Sequence, residues 1–98
     1  LRTALGSHVE SIPVTGTKGL HGHALGASGA IEAAIVCAAI QQRHAPGTAN
    51  LVNPDPACDL QHLPGCGRDM AIGVALSNSF GFGGINACLL LAHPDMNL

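Results

Sequence analysis

The sequence predicts an α/β protein: a strand, a helix and two further strands, forming a strand-helix-strand-strand piece of a mixed sheet packed on that buried helix. Two observations carry this. The run from about Ala27 to Arg43, reading AIEAAIVCAAIQQR after Gly29, is apolar around nearly its whole circumference, the pattern of a helix covered on every side. Further on, Ile72, Val74 and Leu76 alternate with smaller residues, and Ala87 to Ala92 (ACLLLA) is a continuous apolar stretch of strand length, as in a strand buried on both faces.

In chain order, Leu1 to Gly6 (LRTALG) reads as the last turn of a helix stopped by Gly6. Val9 to Thr15 (VESIPVT) has strand character, with Pro13 restricting it to a strand end or an edge. A glycine-rich loop then leads into the helix. After Arg43 the segment HAPGTANLVNPDPACDLQHLPGCGRD is too rich in Pro, Gly, Asn and Asp for a helix and reads as an ordered connector. Asn78 to Asn86 (NSFGFGGIN) forms a loop between the last two strands.

Chemistry concentrates between Gly16 and Glu32, GTKGLHGHALGASGAIE, where titratable groups meet a flexible backbone. Lys18, His21 and His23 stand among glycines that allow tight turns and close approach of other groups. Glu32 is the one carboxylate on the apolar helix. An unpaired buried charge costs several kcal/mol, and Lys18 and a protonatable His23 are the nearest cations in sequence, so Glu32 and Lys18 are expected to hold the site together. The positive end of the helix dipole near Ala27 to Gly29 favours negative charge developing close to His23.

Composition narrows the possibilities. With 98 residues, 47% of them hydrophobic and 10% charged, 13 Gly and neither Trp nor Tyr, the chain reads as the inside of something larger and is expected to be a piece of a longer protein. Its net charge of −2 gives no basic field for nucleic acid or an acidic membrane surface. No secretory signal pattern is visible, and the apolar run Ala24 to Ile40, interrupted by Glu32, falls short of the roughly 20 residues of a membrane span.

The four cysteines, Cys37, Cys58, Cys66 and Cys88, form no C-x-x-C pair and no zinc spacing, so free thiols in a reducing cytosol are expected. Cys37 in the helix and Cys88 in the last strand are expected to be inert buried side chains. His21-Gly22-His23 lacks a third ligand at metal-site spacing. Gly81-Phe82-Gly83 fails the dinucleotide fingerprint, since Asn86 stands at the third glycine. His8, His44, His62 and His93 are expected to be solvated surface residues. On its own, NSFGFGGIN is equally a glycine-bearing hairpin whose phenylalanines fill the core.

The Gly16 to Glu32 stretch resembles the C-terminal half of the β-ketoacyl-[acyl carrier protein] synthases, KAS II-like members of the thiolase superfamily, in which a T-K-x-x-x-G-H loop precedes a G-A-x-G-A-x-E helix. Thr17, Lys18, Gly22, His23, Gly26, Ala27, Gly29, Ala30 and Glu32 match. Thiolases share a G-H-P-L-G-A-S-G segment, so Gly22 to Gly29 alone does not separate the two. The connector resembles the synthase run P-P-T-x-N-L-x-x-P-D-P-x-C-D-L-x-x-V-P at Pro46, Thr48, Asn50, Leu51, Pro54 to Pro56, Cys58 to Leu60 and Pro64, departing at Gly47 and Leu63. Asn78 to Asn86 decides, matching the synthase N-S-F-G-F-G-G-x-N where thiolases carry a cysteine beside a glycine run.

That resemblance implies the C-terminal portion of a thiolase-like fold across residues 1–98, with the nucleophile-bearing half, its cysteine and a second histidine upstream. It implies a decarboxylative Claisen condensation of acyl and malonyl thioesters on acyl carrier protein, in fatty-acid or polyketide synthesis. His23 is then the histidine that hydrogen-bonds the malonyl thioester carbonyl and stabilises the enolate, with Lys18 and Glu32 in support. Phe80 completes the oxyanion hole with its N–H and gates the acyl pocket with its ring. The family further implies a cytoplasmic homodimer and no metal or organic cofactor beyond the carrier's phosphopantetheine. A thiolase-type acyltransferase and a non-catalytic chain-length partner subunit of a polyketide synthase are the alternatives.

Overall fold

The computed structural model describes residues 1–96. The chain divides into two compact units, Leu1–Gly22 with Ala45–Arg68, and His23–His44 with the chain from Asp69 onward.

In the first unit, helix α1 (Arg2–Leu5) ends at Gly6, whose φ of 58° suits glycine. The strand expected over Val9–Thr15 is mostly not there. Gly6–Ser11 instead winds into a 3-10 helix, and strand β1 is only Pro13–Val14. The reason is local: Ile12 N–H returns to the Val9 carbonyl at 3.3 Å and the Ser11 hydroxyl donates to the His8 carbonyl at 3.0 Å. This turn drives Val9, 1% exposed, into the small core that also holds Leu63 and Ala45. After helix α2 (Lys18–His21), and beyond the second unit's helix, the connector carries the short strands β2 (His44–Ala45), β3 (Gln61–His62) and β4 (Arg68–Asp69).

β1 and β3 pair in parallel, Pro13 opposite Gln61 and Val14 opposite His62. Leu63 N–H extends the pairing to the Val14 carbonyl, and Thr48 N–H reaches the Leu63 carbonyl at 2.7 Å. Arg2 ties α1 to the connector, donating to the Asp59 carboxylate (2.7 Å) and carbonyl (2.8 Å). Gly47 packs against the backbone of Gly65–Gly67 with no room for a Cβ. The connector is therefore ordered through its own backbone, as its composition suggests.

In the second unit, a 3-10 turn (Leu25–Ala27) runs into helix α3 (Ser28–Gln42), and strands β5 (Val74–Phe80) and β6 (Asn86–Ala92) form an antiparallel hairpin. α3 ends with Arg43 in the left-handed region, φ 54°, its N–H on the Ile40 carbonyl and its own carbonyl accepting Met70 N–H at 2.9 Å. Strand β5 continues through Asn78, Ser79 and Phe80, which the sequence pattern assigns to a loop. The turn is confined to Gly81–Ile85 because cross-strand pairing outweighs the turn preference of Asn and Ser.

α3 packs on β5 and, less closely, on β6. A Cβ on Gly29 would stand in ordinary contact with Ser79 Oγ at 3.5 Å, so the face carrying Ala75, Ser77 and Ser79 is the one under the helix. The larger Val74 and Leu76 point the other way with Leu90 and are exposed.

Burial corrects the sequence expectation. Within α3 only Ser28 and Ile40 are buried, and β6 is exposed from Asn86 to Leu90 rather than covered on both faces. Cys37 and Cys88 are exposed, and none of the four cysteines is in a disulfide. Apolar composition reports how much surface needs covering, and one hairpin covers only one side of α3. By length and composition the helical stretch Leu25–Gln42 does reach the size of a membrane span. His44, His62 and His93 are half-buried rather than solvated: His44 Nδ1 lies 2.6 Å from Asp69 Oδ1, His62 Nε2 2.7 Å from the Cys58 carbonyl oxygen, and His93 Nδ1 accepts Asp95 N–H.

Candidate active site

The Lys18 segment is one helical turn rather than an open loop. Thr17 precedes it, and its hydroxyl lies 3.0 Å from His21 Nε2. Two connector residues hold the segment: Thr48 Oγ1 accepts Gly16 N–H at 3.1 Å, and the Ala49 carbonyl approaches Gly19 so closely that a Cβ there would stand 3.0 Å from its oxygen. Gly22 closes the turn at φ 80°, ψ −179°, a conformation essentially restricted to glycine. Lys18 is exposed in the first unit, and Gly22 is that unit's last residue before His23 opens the second.

His23 is exposed and fixed by its Nδ1 atom. Leu25 N–H donates to Nδ1 at 3.0 Å, and Ser28 Oγ lies 3.0 Å from the same nitrogen. Leu25 has a positive φ of 51°. A backbone N–H only donates, so Nδ1 is the acceptor and the neutral ring carries its proton on Nε2. Nε2 is thereby a hydrogen-bond donor held in a set direction at the start of α3. Glu32 lies one turn further along α3 and is half-buried.

Phe80 closes β5 opposite Asn86. Gly81 N–H donates to the Ile85 carbonyl at 2.7 Å, and at the far end His93 N–H donates to the Gly73 carbonyl at 2.8 Å. Hydrogen-bonded and non-bonded pairs alternate in an antiparallel ladder, so Phe80–Asn86, like Asn78–Cys88, is a non-bonded pair. The close side-chain approach of such pairs shows in Cys88 Sγ, which donates to Asn78 Oδ1 at 3.0 Å. The N–H of Phe80 therefore projects outward from the hairpin, available to a ligand. Its ring is 76% exposed, and that of Phe82, at the tip, is fully exposed. The hairpin reading of NSFGFGGIN thus holds, while neither phenylalanine fills a core.

Helix packing sets the start of α3 against the end of β5: Gly29, beside Ser28, rests over Ser79, beside Phe80. Ser28, Leu25 and Phe82 are not among the residues the sequence singles out. Ser28 and Leu25 lack any motif that marks a histidine's partners. Phe82 was legible as a residue between glycines: Gly83 and Gly84 have φ near 80°, and Phe82 lies in the turn while Phe80 is held by the strand.

Known proteins resemble this chain over most of its length. The family model "Beta-ketoacyl synthase, C-terminal domain" matches residues 1–52. A 3-oxoacyl-[acyl-carrier-protein] synthase 2 from Synechocystis sp. is 52% identical over 91% of the chain and 21% of its own length. The tetracenomycin polyketide synthase ketoacyl synthase alpha subunit of Streptomyces glaucescens is 39% identical over 95% of the chain and 22% of its length. Among solved structures, a type II polyketide synthase acyl-carrier protein in complex with its ketosynthase bound to the hexaketide superposes with a TM-score of 0.92 at 36% identity, over 96% of this chain and 23% of that one. The chain spans about a fifth of the length of the curated relatives it matches. It belongs to the β-ketoacyl synthase family, as part of the C-terminal domain of the thiolase-like fold.

Proposed function

We propose that the protein carrying this chain is a β-ketoacyl-[acyl carrier protein] synthase that condenses acyl and malonyl thioesters in fatty-acid or polyketide synthesis, and that His23 is its decarboxylation histidine. The observation that carries this reading is the Nδ1-anchored ring of His23, which leaves Nε2–H free to donate. His23 Nε2–H donates to the malonyl thioester carbonyl. The bond between Cα and the carboxylate breaks, carbon dioxide leaves, and the electron pair moves onto the thioester oxygen as an enolate, which the Nε2–H bond and the adjacent helix N-terminus stabilise. The enolate Cα then attacks the acyl thioester on the family's upstream cysteine, and the tetrahedral oxyanion is met by an outward N–H of the hairpin before the thiolate leaves.

Phe80 N–H is that donor, supported by its outward direction. The gate is better assigned to Phe82, whose ring is exposed and glycine-flanked. Lys18 and Glu32 support His23, so Lys18→Ala and Glu32→Ala should each slow condensation. The carrier's phosphopantetheine serves as the only prosthetic group, and the enzyme works as a cytoplasmic homodimer with acyl carrier protein as its partner. The chain by itself catalyses no condensation, since none of its four cysteines has a nucleophile-like setting. Measuring condensation and acyl loading separately in His23→Ala tests the proposal.

A further inference from the structure

We infer that Ser28 is a positioning residue that holds the imidazole of His23 in its Nε2–H form. The inference rests on the catalytic role proposed for His23 but is testable apart from it. Ser28 is the first residue of α3 and is buried, 6% exposed, so its hydroxyl is shielded from competing water. Oγ lies 3.0 Å from His23 Nδ1. Because Leu25 N–H already directs a donor at that nitrogen, Nδ1 carries no proton to give, and the Ser28 hydroxyl meets it as a second donor. The two donors differ in what they secure. Leu25 is an exposed residue of the three-residue 3-10 turn, while Ser28 is buried and anchored by a 15-residue helix and the packing of Gly29 against β5. Ser28 thus ties the ring to the rigid part of the unit and fixes which nitrogen faces the thioester.

The test is long-range 1H–15N spectroscopy of the complete protein labelled on histidine, combined with kinetics. Native His23 should show a pyrrole-type Nε2 and a pyridine-type Nδ1. In Ser28→Ala both nitrogens should move toward averaged values as the second tautomer gains population. Condensation kcat should fall about 2- to 12-fold, the range spanned by one neutral hydrogen bond, with little change in KM for the malonyl thioester. Ser28→Thr, which keeps the hydroxyl, should restore the native spectrum. A pyrrole-type Nδ1 in the native protein overturns the inference without any variant, as does a spectrum unchanged in folded Ser28→Ala. If His23→Ala condenses at the native rate, the catalytic assignment fails, while the tautomer result still judges Ser28.

Discussion

Gly81 donates its N–H to the Ile85 carbonyl at 2.7 Å, and this bond determines where Phe80 presents its own N–H. In register with it, Phe80 faces Asn86 as a non-bonded pair. Phe80→Pro should therefore remove the outward N–H without deleting a bond between β5 and β6. Loss of one oxyanion donor costs about 2.7 to 4 kcal/mol, roughly 10² to 10³ in rate, whereas Phe80→Ala keeps the N–H and should leave thioester chemistry largely intact. Single-turnover rates of the two variants, with thermal melts to verify folding, decide the matter. Equal losses would remove Phe80 from the oxyanion hole.

The exposed ring of Phe82 predicts a different phenotype. Phe82→Ala should loosen acyl-length selectivity or the order of substrate entry more than Phe80→Ala does, because Phe82 is fully exposed in the glycine turn. Competition between acyl carriers of several chain lengths measures this, and unchanged selectivity would refute the gate.

Gly22 and Gly29 should respond oppositely to alanine. Gly22 holds a conformation that costs an L side chain about 1 to 3 kcal/mol, directly before His23. Gly22→Ala should lower both stability and condensation. Gly29 is helical, and its added Cβ would meet Ser79 Oγ at an ordinary distance, so Gly29→Ala should be neutral or gain up to about 1 kcal/mol. Denaturant titration of both variants provides the comparison.

Much of this arrangement is legible in the residues. The apolar run ends where α3 ends, and the glycine-lysine-histidine stretch does lead into its first turn. Two things were not legible. Val9 to Thr15 carries β-formers, yet Val9 gains more from burial in a 3-10 turn than from a strand whose partner β3 is two residues long. The cover expected at Cys37, Cys88, Leu89 and Leu90 is not supplied within these residues, because periodicity tells which residues are apolar, not which neighbours cover them.

That uncovered surface leads to another expectation. The hairpin face with Val74, Leu76 and Leu90 is exposed, beside exposed Phe80 at the strand end and Phe82 in the turn. Produced by itself, the 98-residue chain should bind a hydrophobic dye, self-associate, and catalyse no condensation. A monomeric chain with a cooperative melt and condensing activity would contradict this.

The most direct test of the central claim is the rate of malonyl decarboxylation and condensation in His23→Ala of the complete protein, measured beside acyl transfer onto the enzyme. A positioned hydrogen-bond donor of this kind contributes roughly 10² to 10⁴ in rate, so condensation should fall by that factor while acyl transfer falls far less. Native rates of decarboxylation and condensation in a folded His23→Ala protein would contradict the role assigned to His23.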